Sequence, residues 1–398
     1  PTHWITTLPH HSKKASYNLK TGYRLNNMVI LQLVTKRQYR GAEVFAAELS
    51  GLLADAGHSV YFAGLYNAPE NTLTARSVTN IDLDGSKSPF SIGLLFKLIK
   101  LIKKVKPDII QANGSDTLKY AVFAKLLNPR LNIVYRNISM VSSWAKENSW
   151  KRKFNRFLFT KVNRVTSVGQ QSLEDLVKTY QYPVAKTKLI RRGIPSFHFD
   201  SEMARQKIAA EFGFNANCPL ITHIGQFSDE KNHPFLIESF QKVLHTTGNA
   251  KLLFIGEGKN FEFINKLVKE KKLDQSIFFA GHREGVQELL VASDLFIMVS
   301  TIEGVPGVVL EAGMQSIPTV AVKVGGVGEV VKDGETGILL ADHNTDRFAA
   351  AIVSLLQQPA LRKELGANAK AFVEKNYSLK QCLEAFEILY KGILEEKK

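Results

Sequence analysis

The amino-acid sequence predicts an α/β protein with two Rossmann-like parallel-sheet domains that face each other across a cleft. At 398 residues the chain is too long for one ordinary core, and 44% apolar with 22% charged residues is typical of a soluble globular protein. Short apolar runs alternate with helix-patterned segments, as in parallel strands connected by helices. Because such open sheets bind ligands beyond the carboxyl ends of their strands, two of them imply a ligand cleft between the domains.

The first half of the chain has the alternation expected of a sheet wound with helices. The predicted strands are 29–35, 60–65, 108–112, 132–135 and 164–168. The predicted helices are 42–56, 92–105, 118–127 and 173–180. We therefore assign residues 28–195 to a first domain.

The second half repeats this alternation. The predicted strands are 220–225, 251–256, 277–280, 295–300, 319–322 and 337–340. The predicted helices are 234–244, 261–271, 286–292 and 348–356. We assign residues 196–398 to a second domain, joined to the first near 193–199.

Composition indicates a cytoplasmic protein. Cys218 and Cys382 are far apart in sequence and predict neither a disulfide framework nor a metal site. The chain has no run of about 20 apolar residues that would span a membrane, and its N-terminus lacks the apolar core of a signal peptide. Residues 1–27 are polar and without hydrophobic period, so we expect a flexible N-terminal extension.

Positive charge is concentrated in the first half of the chain. Residues 1–195 contain 30 Lys and Arg against 11 Asp and Glu, whereas residues 196–398 contain 22 against 26. This asymmetry indicates that the first domain meets an anionic partner, either a membrane surface or a nucleic acid.

The stretch 303–313 carries the most informative chemistry. Glu303 follows a strand on a predicted loop, and Glu311 lies about one turn into the next helix. Pro306 suits the first helical turn, and Gly304 and Gly307 let backbone amides approach an anion. Two carboxylates beside such a cradle predict a ligand with hydroxyl groups on both sides of a phosphate. The alternative is that both glutamates are solvated surface residues.

Several motifs together resemble family 4 retaining glycosyltransferases of the GT-B architecture. In the second half these are 225–238 with Lys231, Gly-Glu-Gly at 256–258, Gly-His-Arg at 281–283, the Glu303 and Glu311 pair, and Gly-Gly-Val-Gly-Glu at 325–329. In the first half the resemblance is carried by segments 40–43, 57–60 and 106–111. It covers the chain from about residue 28, and it implies that the last helix, within 379–398, crosses back onto the first domain.

The resemblance also implies roles for individual residues. Lys231 and Glu303 are the catalytic positions, with Lys231 on the leaving phosphate and Glu303 on the donor sugar, while Glu311 bonds the ribose hydroxyls. The remaining donor-side positions are Gly225, Gln226, Gly256, Gly258, His282, Arg283, Gly307, Val308, Val309, Gly325 and Gly326. The acceptor-side positions are Gly41, Asn113 and Arg136.

The activity that the resemblance implies is a metal-independent hexosyl transfer with retention of configuration. The donor is a UDP- or GDP-sugar, which is a substrate, so no cofactor is expected. The leaving phosphate helps to deprotonate the acceptor, and no separate enzyme nucleophile is needed. The acceptor is a lipid-linked or polysaccharide glycan of the cell envelope, such as lipopolysaccharide, capsule or exopolysaccharide.

Two positions depart from the family pattern. Gln226 stands where members commonly have an arginine, so one phosphate cation is missing. Asn113 stands where many have a histidine. Arg192, in the Arg-Gly-Ile segment, or Arg136, at the end of a strand, would restore the charge, and the alternative for each is an ordinary surface arginine.

Two further features leave their interpretations open. The Asp82 and Asp84 pair has a metal-binding spacing, but one such pair is common by chance, and we expect no metal. The basic aromatic segment 144–159 suits either a membrane interface or the wall of the acceptor cleft. The predicted helix 92–105 carries lysines on its polar side, consistent with a solvated surface.

Two classes of function remain besides a distant third. The first is the glycosyltransferase, acting at the inner face of the cell membrane. The second is a catalytically silent GT-B scaffold that binds an anionic partner, suggested by Gln226 and Asn113. A nucleic-acid binder is the third, and we expect no nucleic-acid partner because the basic residues lack a recognisable motif.

Overall fold

The computed structural model describes residues 27–68, 72–86, 90–143, 150–283 and 285–396. Its strands are β1 Val29–Val34, β2 Ser59–Tyr66, β3 Thr79–Gly85, β4 Ile109–Asn113, β5 Ile133–Asn137, β6 Arg164–Ser167, β7 Thr187–Leu189, β8 Leu220–Ile224, β9 Lys251–Ile255, β10 Ile277–Phe279, β11 Leu295–Met298, β12 Thr319–Val322 and β13 Gly337–Leu340. Residues 1–26, which include nearly all of the predicted extension, and 144–149 of the basic aromatic segment lie outside the described part.

The helices connect consecutive strands and close the chain. They are α1 Gly41–Asp55, α2 Ile92–Val105, α3 Ser115–Leu127, α4 Trp150–Thr160, α5 Gln170–Tyr180, α6 Ser201–Phe212, α7 His233–Thr247, α8 Phe261–Glu270, α9 Val286–Val291, α10 Gly307–Met314, α11 Val327–Val330, α12 Thr345–Gln357, α13 Pro359–Asn376 and α14 Leu379–Glu395.

Two parallel sheets organise the described residues. The first has the order β3-β2-β1-β4-β5-β6-β7 and the second the order β10-β9-β8-β11-β12-β13. Neighbouring strands pair in parallel throughout both sheets, so all carboxyl ends lie at one edge of each sheet. The predicted fold class of two Rossmann-like domains is confirmed, and we call the parts around the two sheets the first and second domains. The exact boundary at residue 195 stays a prediction.

Every predicted strand forms, and several elements that the periodicity did not predict are also present. The additional ones are β3, β7, α4, α6, α11 and α13. Strand β3 is polar and β7 has three residues, and both lie at sheet edges, where one-sided burial leaves little apolar pattern. One expectation is corrected: Pro306 precedes α10 with an extended backbone and is the N-cap, not part of the first turn.

The last helix packs on the first domain, as predicted. Side chains of α14 join a buried cluster with residues of β1, β2, β5 and α1. His58 and Glu387 form a buried contact of 3.0 Å between Nε2 and Oε1. The Tyr390 hydroxyl donates to Gln111 Oε1 at 2.5 Å on β4. Because α14 follows the second domain in sequence, the chain crosses between the domains twice.

The carboxyl-end loops of the two sheets meet. A Cβ at Gly304, on the second domain, would come within 2.3 Å of the Ile138 carbonyl oxygen on the first. The Tyr39 and His282 rings also meet across the junction, with centroids 5.2 Å apart. The predicted cleft between facing domains is therefore present and narrow.

Candidate active site

The second-domain motifs converge at the carboxyl ends of adjacent strands. The loops that contain Gly225, Gly256 and Glu303 follow β8, β9 and β11, which are neighbours in the sheet. Gly256 has φ +141°, and a Cβ there would lie 2.1 Å from the Gly225 carbonyl oxygen. Glycine at this position therefore lets two loops pack backbone to backbone.

Lys231 and Glu303 form an ion pair between Nζ and Oε1. Their side chains are 20% and 11% exposed, so the pair lies in the wall of the site and not on open surface. The Thr301 amide donates to the Glu230 carbonyl oxygen at 2.8 Å, which fixes the two loops beside each other. The two predicted catalytic residues are thus brought together from positions 72 residues apart in sequence.

The start of α10 offers backbone amides without a side-chain cap. Pro306 provides none, so the first-turn N–H groups, among them those of Gly307, Val308 and Val309, lack helical acceptors. Such a terminus attracts anions through its amides and the helix dipole. The phosphate cradle that the sequence predicts at this position stays a prediction.

Gly325 and Gly326 pack against the Glu303 loop. A Cβ at Gly325 would lie 2.0 Å from the Glu303 carbonyl oxygen, and one at Gly326 would lie 2.5 Å from that of Gly304. We expected these glycines to let backbone approach a ligand. The close approach in the structure is between protein loops, and it holds Glu303 in position.

Arg192 occupies the space beside Gly307. One of its guanidinium nitrogens lies 3.4 Å from Glu311 Oε1 and 3.4 Å from Glu48 Oε2. A Cβ at Gly307 would lie 2.0 Å from Nη1 of the same guanidinium. Glu48 belongs to α1 of the first domain, so Arg192 joins carboxylates of both domains. Sequence reasoning did not identify Glu48, because only the tertiary structure places it here.

Burial perturbs the pKa of these groups. It raises the pKa of Glu311 above its usual value, and the Arg192 guanidinium opposes part of that rise while Glu48 adds to it. Burial also raises the pKa of Glu48, again opposed by Arg192 and by Arg136. The guanidinium between the two carboxylates favours the ionised form of each and offsets part of the effect of burial.

The interpretation of Arg192 and Arg136 as ordinary surface arginines is wrong. Arg192 is 8% and Arg136 is 3% exposed. Arg136 lies 3.8 Å from the centre of the Phe45 ring, and burial, reinforced by Arg192, lowers its pKa to about 9. Within the described part of the chain, Nη1 of Arg136 and Nε of Arg192 find no hydrogen-bond partner.

Two buried histidines flank the Lys231 loop in sequence, namely His223 on β8 and His233 at the start of α7. His223 Nδ1 lies 2.9 Å from the Ile297 carbonyl oxygen, so this nitrogen donates. Burial lowers the pKa of His223 well below its ordinary value and that of His233 to about 4. The rings are 5.1 Å apart edge to face, and both are expected to be uncharged at neutral pH.

The other donor-side positions are placed less uniformly. Gln226 and His282 are exposed at the strand ends. Gly258 packs against the Phe227 backbone. Arg283 donates to the Ala280 carbonyl oxygen at 2.9 Å and pairs with Glu211 on α6, so its guanidinium is already engaged outside the loops that carry Lys231 and Glu303.

The acceptor-side positions differ from one another. Gly41 is exposed at the start of α1 with nothing within 4 Å of where a Cβ would be. Asn113 is buried, and its amide donates to Gln32 Oε1 at 3.0 Å. Asn113 therefore contributes to the core beneath the cleft instead of lining it.

Glu329 caps a helix of the opposite domain, a contact that the sequence did not predict. Its carboxylate accepts hydrogen bonds from the Gln170 and Gln171 amides at 2.9 and 3.0 Å. These amides begin α5 of the first domain, which has no side-chain cap of its own. Glu329 thereby connects the motif at 325–329 to the first domain.

Asp82, of the Asp82 and Asp84 pair, forms an ion pair with Arg37. Asp82 accepts two hydrogen bonds from Arg37, at 2.8 and 2.5 Å. Among the described residues, no three His, Cys, Asp or Glu side chains are grouped to hold a metal ion. The described helices also include none long and apolar enough to cross a membrane.

Two parallel-sheet domains that meet at their strand ends and share a crossing helix define a GT-B protein. A structure of Anabaena HepE in complex with UDP and glucose has this fold. It matches with a TM-score of 0.78 over 90% of this chain and 98% of that one, at 19% identity.

The sequence comparisons identify the family. Residues 204–372 match the model for glycosyl transferases group 1, and residues 39–196 match the model for glycosyltransferase family 4. The chain belongs to these glycosyltransferases, which confirms the resemblance found from its motifs.

Two curated relatives show the range of similarity. N-acetyl-alpha-D-glucosaminyl L-malate synthase of Bacillus anthracis is 26% identical over 90% of this chain and 95% of its own length. N-acetylgalactosamine-N,N'-diacetylbacillosaminyl-diphospho-undecaprenol 4-alpha-N-acetylgalactosaminyltransferase of Campylobacter jejuni is 22% identical over 68% of this chain and 72% of its own.

Proposed function

We propose that this glycosyltransferase moves a hexose from a UDP- or GDP-sugar to a lipid-linked or polysaccharide acceptor of the cell envelope, with retention of configuration and without a metal. The observation that carries the proposal is the Lys231 and Glu303 pair beside the uncapped start of α10. A cation and free amides there suit a departing diphosphate, on which negative charge grows during transfer.

The donor would lie along the carboxyl ends of β8 and β11. Its diphosphate meets Lys231 and the α10 amides, and its ribose hydroxyls donate to the Glu311 carboxylate. Glu303 accepts hydrogen bonds from the transferred sugar. The convergence of the motifs supports these assignments, and the HepE complex with UDP and glucose supports a UDP-sugar as one donor class.

The acceptor class is supported by the Campylobacter relative, whose name specifies an undecaprenol-linked glycan. The Bacillus relative is named for transfer to L-malate, a small acid. A feature of this chain favours the lipid-linked class, namely the outer surface of the first domain.

An aromatic row crosses the outer side of helices α2, α3 and α4. It consists of Phe90, Phe123, Phe154 and Trp150, whose successive ring centroids are 4.8, 6.5 and 5.3 Å apart. Trp150 is 75% exposed, and Phe96 on α2 is 66% exposed. The same helices, α2 and α4, also carry exposed basic residues, namely Lys97, Lys100, Lys151, Lys153 and Arg156.

We propose that this row rests on an anionic membrane surface at the inner face of the cell membrane. Exposed Trp and Phe beside Lys and Arg suit the headgroup layer. Helices α2, α3 and α4 start at the carboxyl ends of their sheet, so the surface lies beside the cleft mouth and would deliver a lipid-linked acceptor to it.

Release of nucleoside diphosphate tests the transferase. UDP-glucose, UDP-N-acetylglucosamine and GDP-mannose are incubated with enzyme and a lipid extract, and NDP is measured by luminescence. We expect release from one donor that depends on the extract and is lost in Glu303→Gln. Glu335→Gln, an exposed carboxylate of the same domain, is the control. Intact donors in every combination would contradict the proposal.

Three measurements separate the finer alternatives. The absence of thermal stabilisation by every UDP- and GDP-sugar would favour the silent GT-B scaffold. NMR of the product anomeric proton tests retention. Co-sedimentation with anionic phosphatidylglycerol vesicles tests the membrane surface, and binding that is equal in wild type and a Trp150→Ser variant would exclude the row.

A further inference from the structure

We infer that Arg192 is a positioning residue for donor binding: its guanidinium holds the Glu311 carboxylate at the donor site and ties it to Glu48 of the first domain. The inference rests on the proposed function, in which Glu311 receives the ribose hydroxyls. It goes further because it assigns a function in donor binding to Arg192, in the segment between the domains, and to Glu48.

The first step of the argument is that Arg192 is held in place. The next residue, Gly193, packs so closely on Leu379 of α14 that a Cβ there would lie 2.5 Å from the Leu379 Cα. The Ile194 amide donates to the Tyr377 carbonyl oxygen at 2.9 Å. The backbone that carries Arg192 is therefore fixed to the segment that leads into α14.

The second step is that the guanidinium reaches two elements, one in each domain. It contacts Glu311 on α10 and Glu48 on α1, each at 3.4 Å. It also fills the space left by the missing Cβ of Gly307. Both carboxylates are contacted by the same nitrogen, Nη2, so the positive charge of the guanidinium is shared between them.

The third step concerns charge. The groups that act on Glu311 are Arg192, which favours its ionised form, and Glu48, which disfavours it. Arg136 faces Glu48 and Arg192 from β5. Burial alone raises the pKa of Glu311, and only the carboxylate form offers all its lone pairs to ribose hydroxyls. Arg192 therefore keeps Glu311 ready to accept.

Opposite pH shifts test this arrangement. Binding of UDP and of GDP is measured by calorimetry from pH 5 to 8 in the full-length protein. Without Arg192 the pKa of Glu311 rises further. We therefore expect Arg192→Ala to weaken nucleotide binding about tenfold near neutral pH, and we expect affinity to be lost at a higher pH on acidification than in wild type. Glu48→Gln removes a like charge, so it should move that loss to lower pH.

Two further variants act as controls. Arg192→Lys keeps the charge and should recover most of the neutral-pH affinity. Arg191→Ala removes the adjacent exposed arginine and should leave the pH profile unchanged. If the role of Arg192 were purely structural, Arg192→Ala would lower the melting temperature without changing the pH at which nucleotide affinity is lost.

The outcomes distinguish the inference from the function beneath it. Wild-type protein that binds neither nucleotide would overturn the proposed function and the inference with it. Wild-type binding that is weakened by Glu311→Gln, combined with an unchanged pH dependence of affinity in both Arg192→Ala and Glu48→Gln, would overturn the inference alone. If Arg192→Ala does not fold, the direction of the Glu48→Gln shift still decides.

Discussion

Replacing Gly307 by alanine should weaken donor binding through Arg192. The added Cβ would lie 2.0 Å from Nη1, whereas ordinary contacts begin near 3.4 Å, so the guanidinium must retreat by about 1.4 Å. It now lies 3.4 Å from Glu311, and such a retreat breaks that contact. A hydrogen bond between charged groups contributes about 1.5–3 kcal/mol, so we expect a loss of about 10- to 150-fold in nucleotide affinity.

The assay is calorimetric titration with the nucleotide that binds wild type, together with thermal unfolding. Alanine is the better helix former at the start of α10, and a guanidinium end moves readily, so Tm should not fall. Gly392→Ala, which meets nothing within 4 Å on α14, is the matched control.

A double-mutant cycle isolates the cause. If Gly307→Ala acts by displacing Arg192, adding it to Arg192→Ala should weaken binding no further. If the two losses simply add, the methyl group obstructs the ligand itself. Additivity, or wild-type affinity in Gly307→Ala, would refute the reasoning.

Three other changes have expected outcomes. Lys231→Ala and Glu303→Gln should each lower kcat by about 10²–10³, and the two effects should not add, because the residues form one pair in the site; NDP release measures this, and additive losses would contradict it. The pKa of His233 is lowered to about 4 in the folded protein, so its contribution to the free energy of unfolding is fully present above the unfolded-state pKa near 6.5 and falls by about 1.4 kcal/mol per pH unit between these two values. Urea midpoints at pH 7.5 and 5 should therefore differ less in His233→Phe than in wild type. An equal difference in the two proteins would show that His233 does not cause the loss of stability. Glu329→Ala removes the cap on α5, costing about 1 kcal/mol, and should enlarge the radius of gyration measured by X-ray scattering relative to Glu335→Ala; an unchanged radius would show that this contact does not hold the domains together.

Much of the fold could be predicted because parallel strands that are covered on both faces consist of continuous runs of apolar residues, which are visible in the sequence. The strand Thr319–Val322 and the helix Ile92–Val105 begin and end where the periodicity predicts. The helix Ser201–Phe212 was missed, since only Ala204, Ile208 and Ala209 on it are buried, and so small an apolar stripe is hard to distinguish from a loop.

The site was predicted in its motifs but not in its partners. Glu303, Glu311 and Lys231 stood out because each belongs to a segment with its own local pattern. The pairing of Arg192 with Glu48 spans 144 residues, and nothing near either residue indicates it. Arginines are mostly exposed, so composition favoured the surface interpretation. Only the tertiary fold shows that Arg192 is enclosed by charge from both domains.

The two crossings between the domains lie side by side, where the Ile194 amide meets the Tyr377 carbonyl oxygen. Two domains joined by one chain segment can rotate relative to each other about several axes. Two adjacent connections restrict that rotation. Opening of the cleft is then mainly a rotation about the axis that passes through the two connections. Such an opening would have to separate the contacts across the junction, which are Glu329 with α5, the Gly304 loop with Ile138, and the Tyr39 ring with His282.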